Sequence, residues 1–133
     1  MLHKDYLLEI ISRFVESVSV ALKKALLERD LDAAQEVEDS VAALIDLDPN
    51  TAMNLSPDSL VTMLLLSGIG DSLASYVAYA LDRVGDAYDD AGDSATATLR
   101  WDQAEAVAES FGCDQNEVPP EFVELDVELS VAD

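Results

Sequence analysis

Apolar residues recur at intervals of three and four along the first half of the chain, which is the spacing of amphipathic helices. Between residues 4 and 28 this spacing predicts one long helix, whose apolar face is formed by Leu7, Ile11, Phe14, Val18, Ala21 or Leu22, and Ala25. Asp30 or Asp32 can cap a second helix, which Asp48-Pro49 ends. Because the loop between the two helices is short, we expect an antiparallel hairpin.

The pattern predicts three more helices in the second half of the chain. Residues 56–58, Ser-Pro-Asp, have the composition of a helix start, and a leucine-rich segment follows them. Gly68 ends that helix, and Asp71 or Ser72 is predicted to cap the next. A last helix is predicted over roughly residues 94–111. The chain is therefore predicted to be all-α, with about five helices in compact antiparallel α-α hairpins.

The C-terminal tail has a different pattern. Residues 113–120 are polar and end in Pro119-Pro120, so we predict a helical domain over residues 1–112, and a linker with an acidic tail over residues 113–133. In the tail, apolar and polar residues alternate strictly, which is typical of a strand. Phe122, Leu125 and Leu129 would also suit a short helix, and a disordered terminus is the third alternative.

The charge of the chain excludes several classes of partner. Its 133 residues include 28 Asp or Glu and 7 Lys or Arg, giving a formal net charge of −21. No Lys or Arg occurs between Arg29 and Arg83, and none follows Arg100. Binding to phosphate backbones or anionic membranes needs clustered cations, so we predict no nucleic-acid and no membrane partner. A basic protein partner and a generally acidic proteome both remain consistent with this charge.

The sequence offers little for catalysis. His3 and Cys113 are the single members of their residue types and lie at opposite ends of the chain. A lone cysteine excludes an intrachain disulfide and a thiolate metal cluster, and no glycine-rich phosphate loop follows a strand pattern. We therefore predict a cytoplasmic protein that is not an enzyme, with no catalytic residues, no metal and no cofactor.

One stretch, residues 78–111, carries a recognisable order of small and large residues. These are Leu81, Val84, Gly85, Tyr88, Gly92, Ala97, Trp101 and Ala104. Their spacing resembles the tetratricopeptide repeat, a pair of antiparallel helices. Leu81 stands in place of the usual aromatic residue and Glu109 in place of the closing proline. The chain also has Asp5-Tyr6-Leu7-Leu8 near its start and Leu55-Ser56-Pro57 before a leucine-rich helix. With these residues it is similar, over most of residues 4–111, to an uncharacterised bacterial family of tetratricopeptide-like proteins, which implies no activity.

The resemblance implies a partner-binding face. In tetratricopeptide proteins, partners usually dock on the inner face of each first helix, which here would present Tyr79, Asp82, Asp86, Asp89 and Asp90. This face is acidic with one aromatic residue, so the function it implies is a protein-interaction module that binds a basic peptide or helix. A solvated acidic surface without a partner is the alternative for these residues. A structural homo-oligomer, paired through the first helix or the C-terminal tail, is the alternative function.

Overall fold

A computed structural model describes the backbone of residues 2–131 and the side chains of residues 6–131. Over these residues the chain is all-helical and has no strand, which confirms the all-α prediction. It forms seven α-helices: α1 (Leu2–Leu27), α2 (Leu31–Leu44), α3 (Pro49–Met53), α4 (Pro57–Ser67), α5 (Gly70–Asp90), α6 (Ser94–Ser110) and α7 (Val123–Val131). A 3-10 helix, Pro120–Phe122, precedes α7. The expected number of about five was too low, because α3 and α7 were not counted.

Most of the helices begin where a short polar side chain accepts a backbone hydrogen bond. The Asp30 carboxylate accepts from the amide of Asp32, the Ser56 hydroxyl from Ser59, and the Asp93 carboxylate from Thr96. Such caps satisfy the amides that have no partner in the first turn of a helix. α5 is an exception, because it begins at Gly70 with apolar Ile69 at the N-cap position. The prediction that Asp71 or Ser72 caps this helix was wrong.

α5 is the centre of the core and packs against α1, α2, α4 and α6. Its largest fully buried side chains are Leu73, Val77, Leu81 and Val84. α1 and α2 pack against each other and contribute Val18, Leu22, Val37 and Val41 to the same core. None of the helices in the described part of the chain is long and apolar enough to cross a membrane.

α5 and α6 approach each other closely along a helical hairpin. Gly92, with a φ of 85°, lies in the turn between them. A side chain at Gly85 would collide with the indole ring of Trp101, so this contact needs glycine. Ala97 and Ala104 on α6 are fully buried as well. Small residues at these positions therefore set the short distance between the two helices.

A buried ion pair fastens α6 to α2. The Arg100 Nε donates to Glu38 Oε2 at 2.6 Å, and the Arg100 Nη1 donates to the carbonyl oxygen of Met53 at 2.8 Å. The Tyr88 hydroxyl donates to Glu38 Oε1, and Gln103 donates a second hydrogen bond to Met53. Every buried side-chain nitrogen and oxygen of the described residues has a hydrogen-bond partner. These hydrogen bonds offset the hydration that the two charged groups lose on burial, as buried charges require.

The tail is a helix, so the strand alternative was wrong for its described residues. An α-helix has 3.6 residues per turn, so residues two apart point in nearly opposite directions. Strict alternation therefore places the apolar residues on two opposite faces of the helix. Phe122, Leu125 and Leu129 are buried against the rest of the molecule, with exposures of 0, 4 and 4%. The second set points outward and consists of Val123, Val127 and Val131. Long-range packing, which the alternation does not encode, decides the conformation.

Candidate functional site

The five residues predicted to form a partner-binding face all lie on α5. Tyr79, Asp82 and Asp86 are partly buried, whereas Asp89 and Asp90 are exposed. The structure separates them into two groups. Tyr79 and Asp82 line one small recess, and Asp86, Asp89 and Asp90 line a larger cavity further along the helix.

The C-terminal segment of the same chain covers Tyr79. The Phe122 ring stacks on the Tyr79 ring with 4.8 Å between the centroids and 20° between the planes. The Tyr79 hydroxyl donates to Asp126 Oδ1 at 2.8 Å. Nearby, the Tyr76 hydroxyl donates to Glu121. The aromatic member of the predicted face is therefore engaged within the molecule.

Arg83 is a residue of this face that the sequence pattern did not single out. Its Nη1 donates to Asp86 Oδ2 at 3.2 Å, and its Nη2 donates to the Asp126 carboxylate of α7. Its guanidinium also lies 5.6 Å from the centroid of the Tyr79 ring. The signal was present in the sequence, because Arg83 is an isolated cation within an acidic stretch. An isolated cation among carboxylates is expected to pair with one of them.

Asp86 connects this face to the hairpin contact. The Trp101 Nε1 donates both to the carbonyl oxygen of Asp82 at 3.1 Å and to Asp86 Oδ1 at 3.2 Å. The Asp86 carboxylate thus accepts from Trp101 on one oxygen and from Arg83 on the other. Since Arg83 also holds Asp126, a continuous set of hydrogen bonds runs from α7 through α5 to α6.

Asp86, Asp89 and Asp90 line a cavity of about 330 Å³ between the end of α1, α5 and α7. We call this cavity the acidic groove. Leu26, Leu27 and Arg29 of the α1 end, Arg83 of α5 and Leu129 of α7 complete its lining. Its wall therefore combines three carboxylates and two guanidinium groups with aliphatic side chains, and one of these guanidinium groups, that of Arg83, is already paired with Asp86. This combination suits a long cationic side chain, which has an apolar stem and a charged end.

The carboxyl groups of Asp82 and Asp86 on α5 and of Asp126 on α7 have opposite pKa shifts. Burial raises the pKa of Asp82, and it raises the pKa of Asp86, to which the negative charge of Asp82 adds. For Asp126, burial acts in the raising direction, but the hydrogen bonds from Arg83 and Tyr79 outweigh it and hold its pKa below the usual value. Burial and the hydrogen bond to Asp126 raise the pKa of Tyr79 to about 12.

Other reactive residue types have ordinary structural surroundings. Cys113 is half-buried, and burial raises the pKa of its thiol, which opposes formation of a nucleophilic thiolate. His3 lies outside the residues whose side chains are described. Among the described side chains, no three His, Cys, Asp or Glu residues are arranged to hold a metal ion.

Comparisons of this chain with protein-family models, with curated proteins and with solved structures found no match.

Proposed function

We propose that this chain is a non-catalytic protein-interaction module that binds a basic segment of a partner at the acidic groove. The observation that carries the proposal is the groove itself, where Asp86, Asp89 and Asp90 line a cavity of about 330 Å³ together with the aliphatic residues Leu26, Leu27 and Leu129. A Lys or Arg side chain would place its stem on the aliphatic wall and its charge beside the carboxylates.

Two features of the charge distribution support a cationic ligand. The Arg83 guanidinium is already paired with Asp86 and Asp126, while Asp89 and Asp90 remain exposed at the rim. The net charge of −21 also attracts basic partners over long distances at low ionic strength. We therefore assign Asp89 and Asp90 the leading role in the attraction, and Asp86 a role in holding the wall of the groove.

The proposal includes the tetratricopeptide resemblance of residues 78–111 and a cytoplasmic location. In that family, partners usually dock on the inner face of a first helix, which corresponds to α5 here. α7 covers the Tyr79 end of α5, so the acidic groove is the part of the predicted face that remains accessible.

The test is binding of a short Lys-rich peptide by the full chain at low salt, measured by fluorescence anisotropy. Replacing Asp89→Asn and Asp90→Asn is expected to weaken binding about tenfold and to reduce its salt dependence. A matched control carries Asp102→Asn and Glu105→Gln, which remove the same charge from an exposed face of α6. Equal weakening in both variants would show that the peptide responds to net charge alone, and it would end the proposal.

A structural homo-oligomer is the second candidate function, and the exposed apolar residues of α1 favour it. Tyr6 and Val20 lie on the same side of this helix and are 60 and 55% exposed. Pairing of two copies through α1 would bury these side chains. Light scattering of the full chain and of a Tyr6→Ser, Val20→Ser variant tests this candidate. It predicts a dimer that becomes a monomer in the variant, and a monomeric wild-type chain at every concentration contradicts it.

A further inference from the structure

α7 has one more apolar face than its packing requires. The inner face consists of Leu125 and Leu129, together with Phe122 of the preceding 3-10 helix, and all three are buried against the molecule. Val123, Val127 and Val131 form the outer face, which we call the valine stripe, and their exposures are 47, 57 and 80%. Residues four apart are neighbours on a helix surface, so the three valines form one continuous stripe.

Helix formation does not account for the valine stripe. β-branched residues lose side-chain freedom in a helix and have lower helix propensity than Leu, Glu, Lys or Ala. Docking of α7 does not account for it either, because the inner face, the Tyr79–Asp126 hydrogen bond and the Arg83–Asp126 ion pair hold α7 in place. An exposed stripe of this kind gains free energy when another molecule covers it.

The charges beside the valine stripe indicate what kind of molecule covers it. Glu124 and Glu128 follow the stripe residues along one border, and both are exposed. No Lys or Arg follows Arg100 in the sequence, so α7 contains no cation. Lys23 of α1 reaches the Glu128 carboxylate at 2.9 Å, but this pair is half exposed and therefore weak.

A second copy of this chain is poorly suited to bind the valine stripe through its own α7, because it would bring a second set of carboxylates against the first. Like charges placed together across an interface cost free energy, whereas opposite charges favour association and fix its register. A helix with its own apolar stripe, bordered by Lys or Arg, complements both the shape and the charge. Docking of such a helix is a common mode of protein recognition.

We propose that the outer face of α7, consisting of the valine stripe with Glu124 and Glu128 at its border, binds a basic amphipathic helix of a partner protein. The proposal rests on the proposed function for the positive charge of the partner, but it uses a different surface from the acidic groove. The inner face of α7 packs against the rest of the molecule, so the stripe is presented on a formed helix.

The experiment compares three peptides, each about 15 residues long, which gives about four helical turns. In the first, Leu recurs every three or four positions and Lys fills the border positions. The second has the same composition in scrambled order, and the third has Glu in place of Lys. Binding of each to the full chain is measured by isothermal titration calorimetry at low salt. We expect the first peptide to bind most tightly and the third to bind least.

The matched variants are two triple substitutions. Val123→Thr, Val127→Thr and Val131→Thr keep the β-branched shape but add hydroxyl groups, and they should weaken binding of the first peptide about tenfold. The control carries Leu8→Thr, Leu65→Thr and Leu66→Thr, which alter three exposed apolar residues outside α7 and should leave binding unchanged. Circular dichroism of both variants checks that the helices are retained.

Three results would overturn this proposal. One is equal binding of the ordered and scrambled Lys peptides, which would mean that charge acts alone. Another is a wild-type dimer that the α7 triple variant loses, which would identify a second copy as the cover. The third is that binding of the first peptide is weakened by Asp89→Asn with Asp90→Asn but not by the α7 triple variant, which would identify the acidic groove, and not the valine stripe, as the binding site. The converse result would support the stripe and reject the groove.

Discussion

The α5–α6 hairpin and α7 are held to the protein by different means. In the hairpin, Gly85 lies against Trp101, and small residues such as Ala104 let two long helices pack along their length. α7 is held by a few long side chains, above all the Phe122 ring on Tyr79 and the Arg83–Asp126 pair, which joins positions 43 residues apart in sequence.

This difference indicates different local stabilities. Segments with few buried apolar contacts open at lower free energy than the core. α7 is nine residues long, contributes two buried side chains of its own and follows a loop, whereas α5 contributes ten buried residues. We therefore expect α7 to open first and the hairpin to open only on global unfolding.

The largest expected effect is on the hairpin side, at the buried ion pair. Arg100→Met leaves the Glu38 carboxylate buried without its partner, and loss of one member of such a pair costs about 3–5 kcal/mol of unfolding free energy. Urea denaturation followed by circular dichroism measures this loss. A double variant that adds Glu38→Met should recover most of it, because no unpaired charge is left. A double variant as unstable as the single one would show that the charges are not the cause.

The next effect concerns α7 itself. Phe122 is fully buried, and truncation of a buried Phe to Ala costs about 3–5 kcal/mol in a rigid core. We expect this loss to release α7 alone. Hydrogen exchange should show loss of protection over residues 123–131 and retained protection over residues 94–110. If both regions lose protection equally, α7 and the hairpin belong to one cooperative unit and the comparison fails.

A smaller effect is expected at the close contact of the hairpin. Gly85→Ala introduces a methyl group where the Trp101 ring lies, and overpacking of this kind costs about 1–3 kcal/mol. The Trp101 fluorescence should change together with the unfolding midpoint, because the ring must move. Gly92→Asn serves as the control, since Asn tolerates the positive φ of that turn and open space surrounds it. An unchanged midpoint for Gly85→Ala would mean that the helices separate without cost.

The smallest effect is a pH dependence that has opposite signs in the two regions. The pKa of Asp126 is lowered in the folded protein, so its contribution to α7 docking is present above the unfolded pKa and is lost as the pH falls through the lower folded value. The pKa values of Asp82 and Asp86 are raised by burial, so protonation relieves a cost on α5 as the pH falls through their raised values.

Acid should therefore loosen α7 before the hairpin. The usual pKa of an Asp side chain is about 4. Hydrogen exchange measured below and above this pH, and corrected for intrinsic exchange rates, gives the protection of each helix. Asp126→Asn should remove most of the acid response of α7 and leave that of α5 unchanged. Loss of protection in the hairpin first would contradict the sign of these shifts.

The sequence by itself determined the features that depend on neighbours along the chain. Hydrogen-bonding caps such as Asp30 and Ser56, together with apolar periodicity, placed several of the helices and predicted the all-α class. These signals act within about one turn of helix, so they can be read without knowledge of the fold.

The tertiary structure decided what depends on residues that are distant in sequence. The alternating tail was equally compatible with a strand, but packing of Phe122 on Tyr79 made it a helix with two apolar faces. The Arg100–Glu38 pair joins residues 62 positions apart, and the Arg83–Asp126 pair divides the predicted acidic face. Any carboxylate in this acidic chain could have been the partner of these arginines, because the choice depends on which groups are desolvated together, and only the packed fold fixes that.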